Sequence, residues 1–147
     1  MPLGIEQTYD KELNNFYKIE KNSMLELEGI RHSRLRGLVL RAFTTKNIQR
    51  ISRDIDTLCH DLLHRIKDKE TDLIENYAKQ VPVITIARLL GIPEEMSDQL
   101  LKWSNSMVAV YQSNISKEGK VLAHQSSKEF FEYIKKYVAE RRSKPAD

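Results

Sequence analysis

Cysteine, glycine and proline are all scarce in this chain of 147 residues. The single cysteine, Cys59, excludes an internal disulfide and is consistent with a reducing cytoplasm. The chain has five glycines and four prolines, so long stretches contain no residue that weakens or ends a helix. The sequence therefore predicts an all-α protein.

Long apolar runs and a large net charge are missing as well. No segment approaches the roughly 18 apolar residues that cross a bilayer, and the first residues do not resemble a secretion signal. The net charge of +3 is too small to indicate nucleic-acid binding by itself. We therefore expect one globular domain in the cytoplasm that binds neither membranes nor nucleic acid.

Apolar residues at gaps of three and four predict a series of amphipathic helices. The strongest stripe ends near Lys67 and consists of Ile48, Ile51, Ile55, Leu58, Leu62 and Ile66. A weaker stripe before it consists of Leu35, Val39 and Phe43. Thr44 and Thr45, between the two stripes, are favourable N-cap residues. Segment 1–27 has little periodicity, and we expect an irregular loop there with one short helix near 11–17.

The middle of the chain contains a strongly apolar segment, 72–90. It is apolar on nearly all sides after Val81, which predicts a buried helix, although its β-branched residues also allow a strand. Pro82 either kinks this helix or lies in the first turn of a new one. Gly91 followed by Pro93 predicts a helix end with the glycine in the left-handed conformation.

Two further helices are predicted in the last third of the chain. Glu94 and Glu95 suit the first turn of a helix, because carboxylates interact favourably with its positive end, and the pattern continues to about Tyr111. The polar segment 112–119 predicts a loop. A final helix over 120–142 is expected to bury Leu122, Phe130, Phe131, Ile134, Tyr137 and Val138.

Five blocks of the sequence resemble consecutive segments of bacterial cytochromes P450, the haem-thiolate monooxygenases. Block 27–44 (LEGIRHSRLRGLVLRAFT) resembles the entry and body of helix C, and block 84–95 (ITIARLLGIPEE) resembles the end of helix E and the start of helix F. The other blocks are 72–78 (DLIENYA), 102–104 (KWS) and 137–145 (YVAERRSKP). Their order and spacing agree with the family over about residues 20–147.

The resemblance implies an all-α, partial cytochrome P450 fold that contains helices C, D, E, F and G in a single partial domain. The implied boundaries are 1–30 for the loop region between helices B and C, 31–67 for helices C and D, 71–91 for helix E, and 94–142 for helices F and G. The central oxygen-binding helix and the cysteine-ligand loop of the family have no counterpart in the sequence.

The resemblance also implies roles for two pairs of residues. His32 and Arg36 are at the positions where the family hydrogen-bonds the haem propionates, and a guanidinium matches a carboxylate in geometry. From their spacing alone, a packed His32 and a solvated Arg36 are the more ordinary interpretation. Arg34 and Arg41 would lie on the surface that receives electrons from an acidic ferredoxin or flavodoxin, or else on a solvated face without a partner.

Residues for the substrate pocket follow from the same resemblance. The implied pocket positions are Met24, Leu25, Met107, Val108 and Tyr111, although residues at helical spacing are more often part of a core. His60 and His64 are interpreted as surface histidines rather than metal ligands, because a zinc site needs four ligands and no further pair completes one. Cys59, within a helical pattern, is expected to be a small buried residue.

The implied function is part of a haem-dependent monooxygenase, which inserts one oxygen atom of O₂ into a small organic substrate. Without the axial cysteine we expect the chain alone to have no catalytic residue, to bind haem (iron protoporphyrin IX) weakly and to be catalytically incompetent.

A non-catalytic helical interaction module derived from such an enzyme is the alternative. A helical nucleic-acid binder would use the basic residues of segment 31–53, but the one aromatic residue there, Phe43, belongs to the apolar stripe and is not expected to stack on bases. We also expect marginal stability, because apolar faces such as 83–90 would lie partly exposed.

Overall fold

The computed structural model describes residues 10–42, 45–67 and 70–144, and all regular structure in these ranges is helical. The all-α prediction is therefore confirmed. These residues form two compact units: the first combines the residues up to Leu27 with those from Lys102 onward, and the second is Glu28–Leu101. Every helix in the described ranges is too short or too polar to span a bilayer.

The helices follow one another along the chain with short connections. The α-helices of the described ranges are α1 (Asn14–Glu20), α2 (Gly29–Ala42), α3 (Thr45–Arg65), α4 (Gln80–Leu90), α5 (Ser97–Val108) and α6 (Lys117–Ser143). Short 3₁₀ helices lie at Lys11–Leu13, Glu94–Met96 and Ala109–Tyr111, and a π-helix lies at Ile74–Ala78. The short helix expected near 11–17 is present, as α1 with the turn before it. The N-cap predicted at Thr44 lies outside the described residues.

The second unit has a small core that α3 and α4 build together. Leu58 and Leu62 from α3 and Ile84 from α4 are buried, with Tyr77 and Val81 packed against them. Leu58 and Leu62 belong to the predicted α3 stripe, so the periodicity identified the inner face of this helix correctly.

Segment 72–90 is helical, and the alternative of a strand is wrong. The Asp72 carboxylate accepts hydrogen bonds from the backbone N–H groups of Ile74 (2.9 Å) and Glu75 (3.0 Å), and so caps the π-helix. Pro82 lies in the first turn of α4, where its missing N–H costs no intrahelical bond. Gly91 ends the helix with a φ of 65°, in the predicted left-handed conformation.

The helix predicted to be buried is buried on one side only, and the partial exposure expected for faces such as 83–90 is confirmed. Ile84 and Ala87 are buried, whereas Ile86 and Leu90 are 53% and 60% exposed. In the second unit, α4 packs against α3 and the π-helix on one side, so the residues on its other side have no cover within that unit.

The first unit is built on α6 and the segment that contains α1. Leu13, Phe16 and Ala123 form its core, with Tyr17, Met107 and Val110 packed against it. Trp103 is also buried, packs against Phe130 and Tyr133, and donates its indole N–H to Glu129 Oε2 at 2.9 Å. Hydrogen bonds from both Trp103 and Gln125 lower the pKa of Glu129.

Helix α6 begins earlier than predicted and buries a different set of side chains. It starts at Lys117, because Ser116 caps it by accepting a hydrogen bond from the Gly119 N–H at 3.1 Å. The predicted burial of three large side chains is wrong: Leu122 is 57%, Phe131 51% and Val138 41% exposed. The buried residues of α6 are Ala123, Ser126 and Ser127. Their small size lets the segment 10–20 approach the helix closely, and this places the larger apolar side chains on the flanks.

Candidate functional site

Helix α2 carries the two residues for which the family resemblance implies contact with the haem propionates. Residues four apart lie about 40° apart around an α-helix, so His32 and Arg36 share one face of α2. His32 is half-buried and Arg36 is exposed. Leu35 and Val39, on the same side, are half-buried. This face therefore combines two hydrogen-bond donors with an apolar strip.

Both donors are available to a ligand. Within the ranges that the structure describes, neither His32 nor Arg36 forms a side-chain hydrogen bond or an ion pair. Arg88 on α4 differs, because it donates to Glu94 Oε1 at 2.7 Å and to the Asp54 carbonyl at 3.4 Å. The guanidinium of Arg36 could thus receive a carboxylate without breaking an existing contact.

The rest of α2 is also little covered. Among residues 29–41 no side chain is buried, and Ile30 is 88% and Leu40 59% exposed. A methyl group added at Gly37 would meet no atom within 4 Å. Arg34 and Arg41, the residues predicted for electron-donor contact, are both exposed and lie roughly opposite His32 and Arg36 around the helix.

The residues predicted for the substrate pocket lie in the first unit, in two different settings. Met107 packs against the core of Leu13, Phe16 and Ala123, which is the setting of a core residue. The other four are exposed, with Met24 at 38%, Leu25 at 81%, Val108 at 58% and Tyr111 at 57%. The Tyr111 ring contacts Phe16 with centroids 5.8 Å apart, so the end of α5 meets α1 at this point.

A polar cluster that the sequence did not indicate lies beside Tyr111. Partial burial, the hydrogen bond with the Glu20 carboxylate and the negative charges of Glu20 and Glu26 raise the pKa of Tyr111. Glu20 Oε1 and Ser23 Oγ are buried atoms without a hydrogen-bond partner. No local sequence signal connects Glu20 with Tyr111, because the two residues are far apart in the sequence and only tertiary packing brings them together.

Helix α3 carries Cys59, His60 and His64. Cys59 is half-buried rather than buried as predicted, and it lies next to the Tyr77 hydroxyl, which reaches it from the π-helix. Their hydrogen bond and partial burial raise the pKa of Tyr77. His60 and His64 are exposed, which confirms their interpretation as surface residues. Over the described ranges, no three His, Cys, Asp or Glu side chains converge on a possible metal position.

The second unit also contains a cavity of about 300 Å³ that the sequence did not predict. It lies where the end of α3 meets the π-helix, and its lining includes Leu62, Ile84, Arg65, Asn76 and Gln80. None of the residues predicted for haem or substrate contributes to it.

Comparison with known proteins relates most of the chain to bacterial cytochromes P450. It is 36% identical over 117 residues to the polyketide biosynthesis cytochrome P450 PksS of Bacillus subtilis, which corresponds to 79% of this chain and 28% of that protein. It is 30% identical over 125 residues to cytochrome P450 107B1 of Saccharopolyspora erythraea, over 84% of this chain and 29% of the relative. The chain thus spans less than a third of the length of these relatives. No protein-family model matches it.

Solved structures show the same relationship in three dimensions. P450BioI, in complex with acyl carrier protein ligated to hexadec-9Z-enoic acid, matches 97% of this chain and 37% of its own with a TM-score of 0.88; at 23% identity this match shows the fold. The structure of PksS from Bacillus subtilis 168 is 31% identical and matches 95% of this chain and 34% of its own, with a TM-score of 0.73.

Proposed function

The chain belongs to the cytochrome P450 family, and we propose that it forms part of a haem-dependent monooxygenase that inserts one oxygen atom of O₂ into an organic substrate. The relatives with this activity in their names, such as the mycinamicin IV hydroxylase/epoxidase of Micromonospora griseorubida, support the reaction class. The observation that carries the proposal is the pair His32 and Arg36, which shares one face of α2 and has no partner in the described part of the chain.

We propose that this pair binds the two haem propionates. An imidazole N–H and a guanidinium fork are donors without a competing acceptor here, and propionates are carboxylates, so the chemistry of the two groups fits. A hydrogen bond to a charged group contributes about 1.5–3 kcal/mol. When bound through a cysteine thiolate, haem supplies the activation of oxygen. The role of these two residues is to hold and orient it.

The thiolate does not come from Cys59 in this proposal. That residue is half-buried on α3, and its sulfur is already next to the Tyr77 hydroxyl. Residues 1–147 alone are therefore expected to bind haem weakly and to lack monooxygenase activity. The exposed Arg34 and Arg41 are proposed as contacts for an acidic ferredoxin or flavodoxin, because they project away from the propionate face.

A chimera with PksS tests the proposal. Residues 27–144 of this chain replace the corresponding segment of PksS, which supplies the cysteine loop, and the purified protein is reduced under carbon monoxide. The chimera is expected to show the Soret band of a thiolate-bound haem, whereas the chain alone mixed with haem is not.

The matched variants are Arg36→Ala and Arg34→Ala in this chimera. Arg36→Ala should weaken the affinity for haem by about tenfold or more, since one charge-assisted contact is lost, and should therefore lower the fraction of haem retained after gel filtration. Arg34→Ala removes the same charge from the other side of α2 and should retain haem as the unaltered chimera does. Equal retention in the two variants would refute the assignment of Arg36.

The alternative function is a non-catalytic helical interaction module. The exposed apolar side chains of Ile86 and Leu90 on α4 are the observation that favours it, because such surfaces often mark contact sites. A module that has lost haem binding would give a folded chimera without a Soret band, and the haem content of that chimera separates the two functions.

A further inference from the structure

The cavity at the end of α3 has an apolar floor, formed by Leu62, Ile66 and Ile84. Leu62 and Ile84 are buried in the core of the second unit, and Ile66 is half-buried. The volume of about 300 Å³ lies at the lower end of the range of about 300–1,000 Å³ that is typical of ligand pockets. The residues of the lining all belong to the second unit. The cavity therefore has room for a small organic molecule and a surface that an apolar group can cover.

Two cationic side chains also line this cavity. They are Arg65 and Lys67, both exposed, and among the described residues of the lining none is an aspartate or a glutamate. In the described part of the chain, neither cation forms an ion pair or a side-chain hydrogen bond. Two carboxylates of the segment around the π-helix are engaged elsewhere, since Asp72 caps this helix and Glu75 pairs with Lys79. A bound anion would therefore meet two positive charges without displacing an existing contact.

Amide side chains contribute further hydrogen-bond donors to the lining. Asn76 Nδ2 donates to Thr71 Oγ1 at 2.9 Å, and Gln80 Nε2 donates to the Glu75 carbonyl at 3.3 Å. Each amide nitrogen carries a second N–H, so each can still donate to an oxygen of a ligand. Cations and spare N–H donors together fit an oxyanion.

We propose that this cavity binds a small carboxylic acid, whose carboxylate is held by Arg65 and Lys67 and whose apolar chain covers the apolar floor. A guanidinium fork matches a carboxylate in geometry, and the ammonium group adds a second charge. An inorganic anion would meet the same cations but would leave the apolar floor in contact with water. No residue proposed for haem, substrate or electron donor lines the cavity, so this site is separate from the proposed function and its occupancy does not depend on haem.

Calorimetric titration of the chain itself tests the binding, with hexanoate and 1-hexanol as the first pair of probes at neutral pH. Hexanoate is expected to bind about five- to tenfold more tightly than 1-hexanol, because two exposed cations act on one carboxylate. The alcohol carries the same apolar chain, so it also accounts for adsorption to the exposed apolar faces of the protein. Equal affinities of the two probes for the unaltered chain would overturn the proposal without any variant.

Acetate and inorganic phosphate test the apolar floor. Each is expected to bind at least about tenfold more weakly than hexanoate, since burial of methylene groups adds affinity that neither ion can gain. Phosphate or acetate binding as tightly as hexanoate would reject a carboxylic acid with an apolar chain as the ligand class.

Variants then locate the site. Arg65→Gln and Lys67→Gln should each lower the preference for hexanoate over 1-hexanol by about two- to threefold, because each removes one of the two charges. Arg53→Gln is the matched control, since Arg53 is exposed on the same helix, lies outside the lining and changes the net charge equally. Far-UV circular dichroism shows whether each variant is folded. An unchanged preference in a folded variant that carries both Gln substitutions, or an equal loss in Arg53→Gln, would refute the site.

Discussion

Single polar side chains attach the N-terminal segment to α6. Asp10 Oδ2 accepts a hydrogen bond from Lys120 Nζ at 2.7 Å, and the Asn15 side chain meets His124 Nε2 at 3.0 Å. The Lys120 ammonium, followed by the Glu12 backbone N–H, lowers the pKa of Asp10, and the Asp10 carboxylate raises the pKa of Lys120. The contact joins residues far apart in sequence, so it forms when the first unit forms.

Because of this ion pair, we expect the free energy of unfolding to fall at both low and high pH. The lowered pKa of Asp10 contributes stability that is present above its ordinary value of 3.8 and is lost as the pH falls through the folded pKa. The raised pKa of Lys120 contributes stability that is present below its ordinary value of 10.5 and is lost as the pH rises through the folded pKa. Asp10→Asn should therefore lower the free energy of unfolding at neutral pH and weaken its decline at both extremes.

Urea titrations between pH 2 and 11 measure this effect. Asp61→Asn is the control for net charge, since Asp61 is exposed on α3 and has no ion pair in the described ranges. If Asp10→Asn and Asp61→Asn gave the same free energies at neutral pH, the ion pair would contribute nothing to the stability.

At the scale of elements, α6 packs through its small residues. Ala123 and Ser127 are fully buried, and Ser127 Oγ is satisfied by donating to the Ala123 carbonyl at 2.7 Å within the helix. Leu13 and Phe16 fill the space that these small side chains leave. The close approach of α1 therefore depends on the absence of bulk on this face of α6.

Ala123→Leu is expected to force α1 away from α6. Added methylene groups in a packed core cost about 1–3 kcal/mol, so the free energy of unfolding should fall by that amount. Ala139→Leu is the matched control, because Ala139 is exposed on the other side of the same helix and should change stability by less than about 0.5 kcal/mol. Urea unfolding followed by circular dichroism gives both values, and similar losses would contradict this packing.

At the scale of the whole molecule, each compact unit has large apolar side chains in contact with water. Ile86 and Leu90 on α4 are exposed in the second unit, and Leu122 and Phe131 on α6 are exposed in the first. Exposed apolar patches of this kind mark contact surfaces or cause association. In the related P450 structures this chain matches little more than a third of the polypeptide, so those proteins have further residues that can cover such faces.

The chain studied alone is therefore expected to associate and to be marginally stable. Its mass by light scattering should exceed 17.2 kDa at high concentration, and Ile86→Lys combined with Leu90→Lys should shift it toward that value. Leu63→Lys, at an exposed position on α3, is the control for added charge. A monomer that unfolds cooperatively at high temperature, with no effect of the α4 substitutions, would contradict both expectations.

The helices themselves were predictable because their signals are local. Spacing within one helix predicts the α3 stripe and the shared face of His32 and Arg36. The residue type predicts the left-handed conformation of Gly91 at a helix end. The order of the five sequence blocks indicated the family. That His32 and Arg36 lie one turn apart follows from their spacing, whereas their role toward the haem propionates rests on the family resemblance and stays a prediction.

Contacts between distant segments were decided by the tertiary structure. Helix α6 buries Ser127 rather than Phe131, and α4 is covered on one side only. Both outcomes depend on which helix lies alongside and on how closely the side chains allow the two helices to approach. The cluster of Glu20, Ser23 and Tyr111 has no signal within any window of the sequence. Its residues meet because α1 and the end of α5 pack together in the first unit, and burial then leaves two polar atoms without a partner.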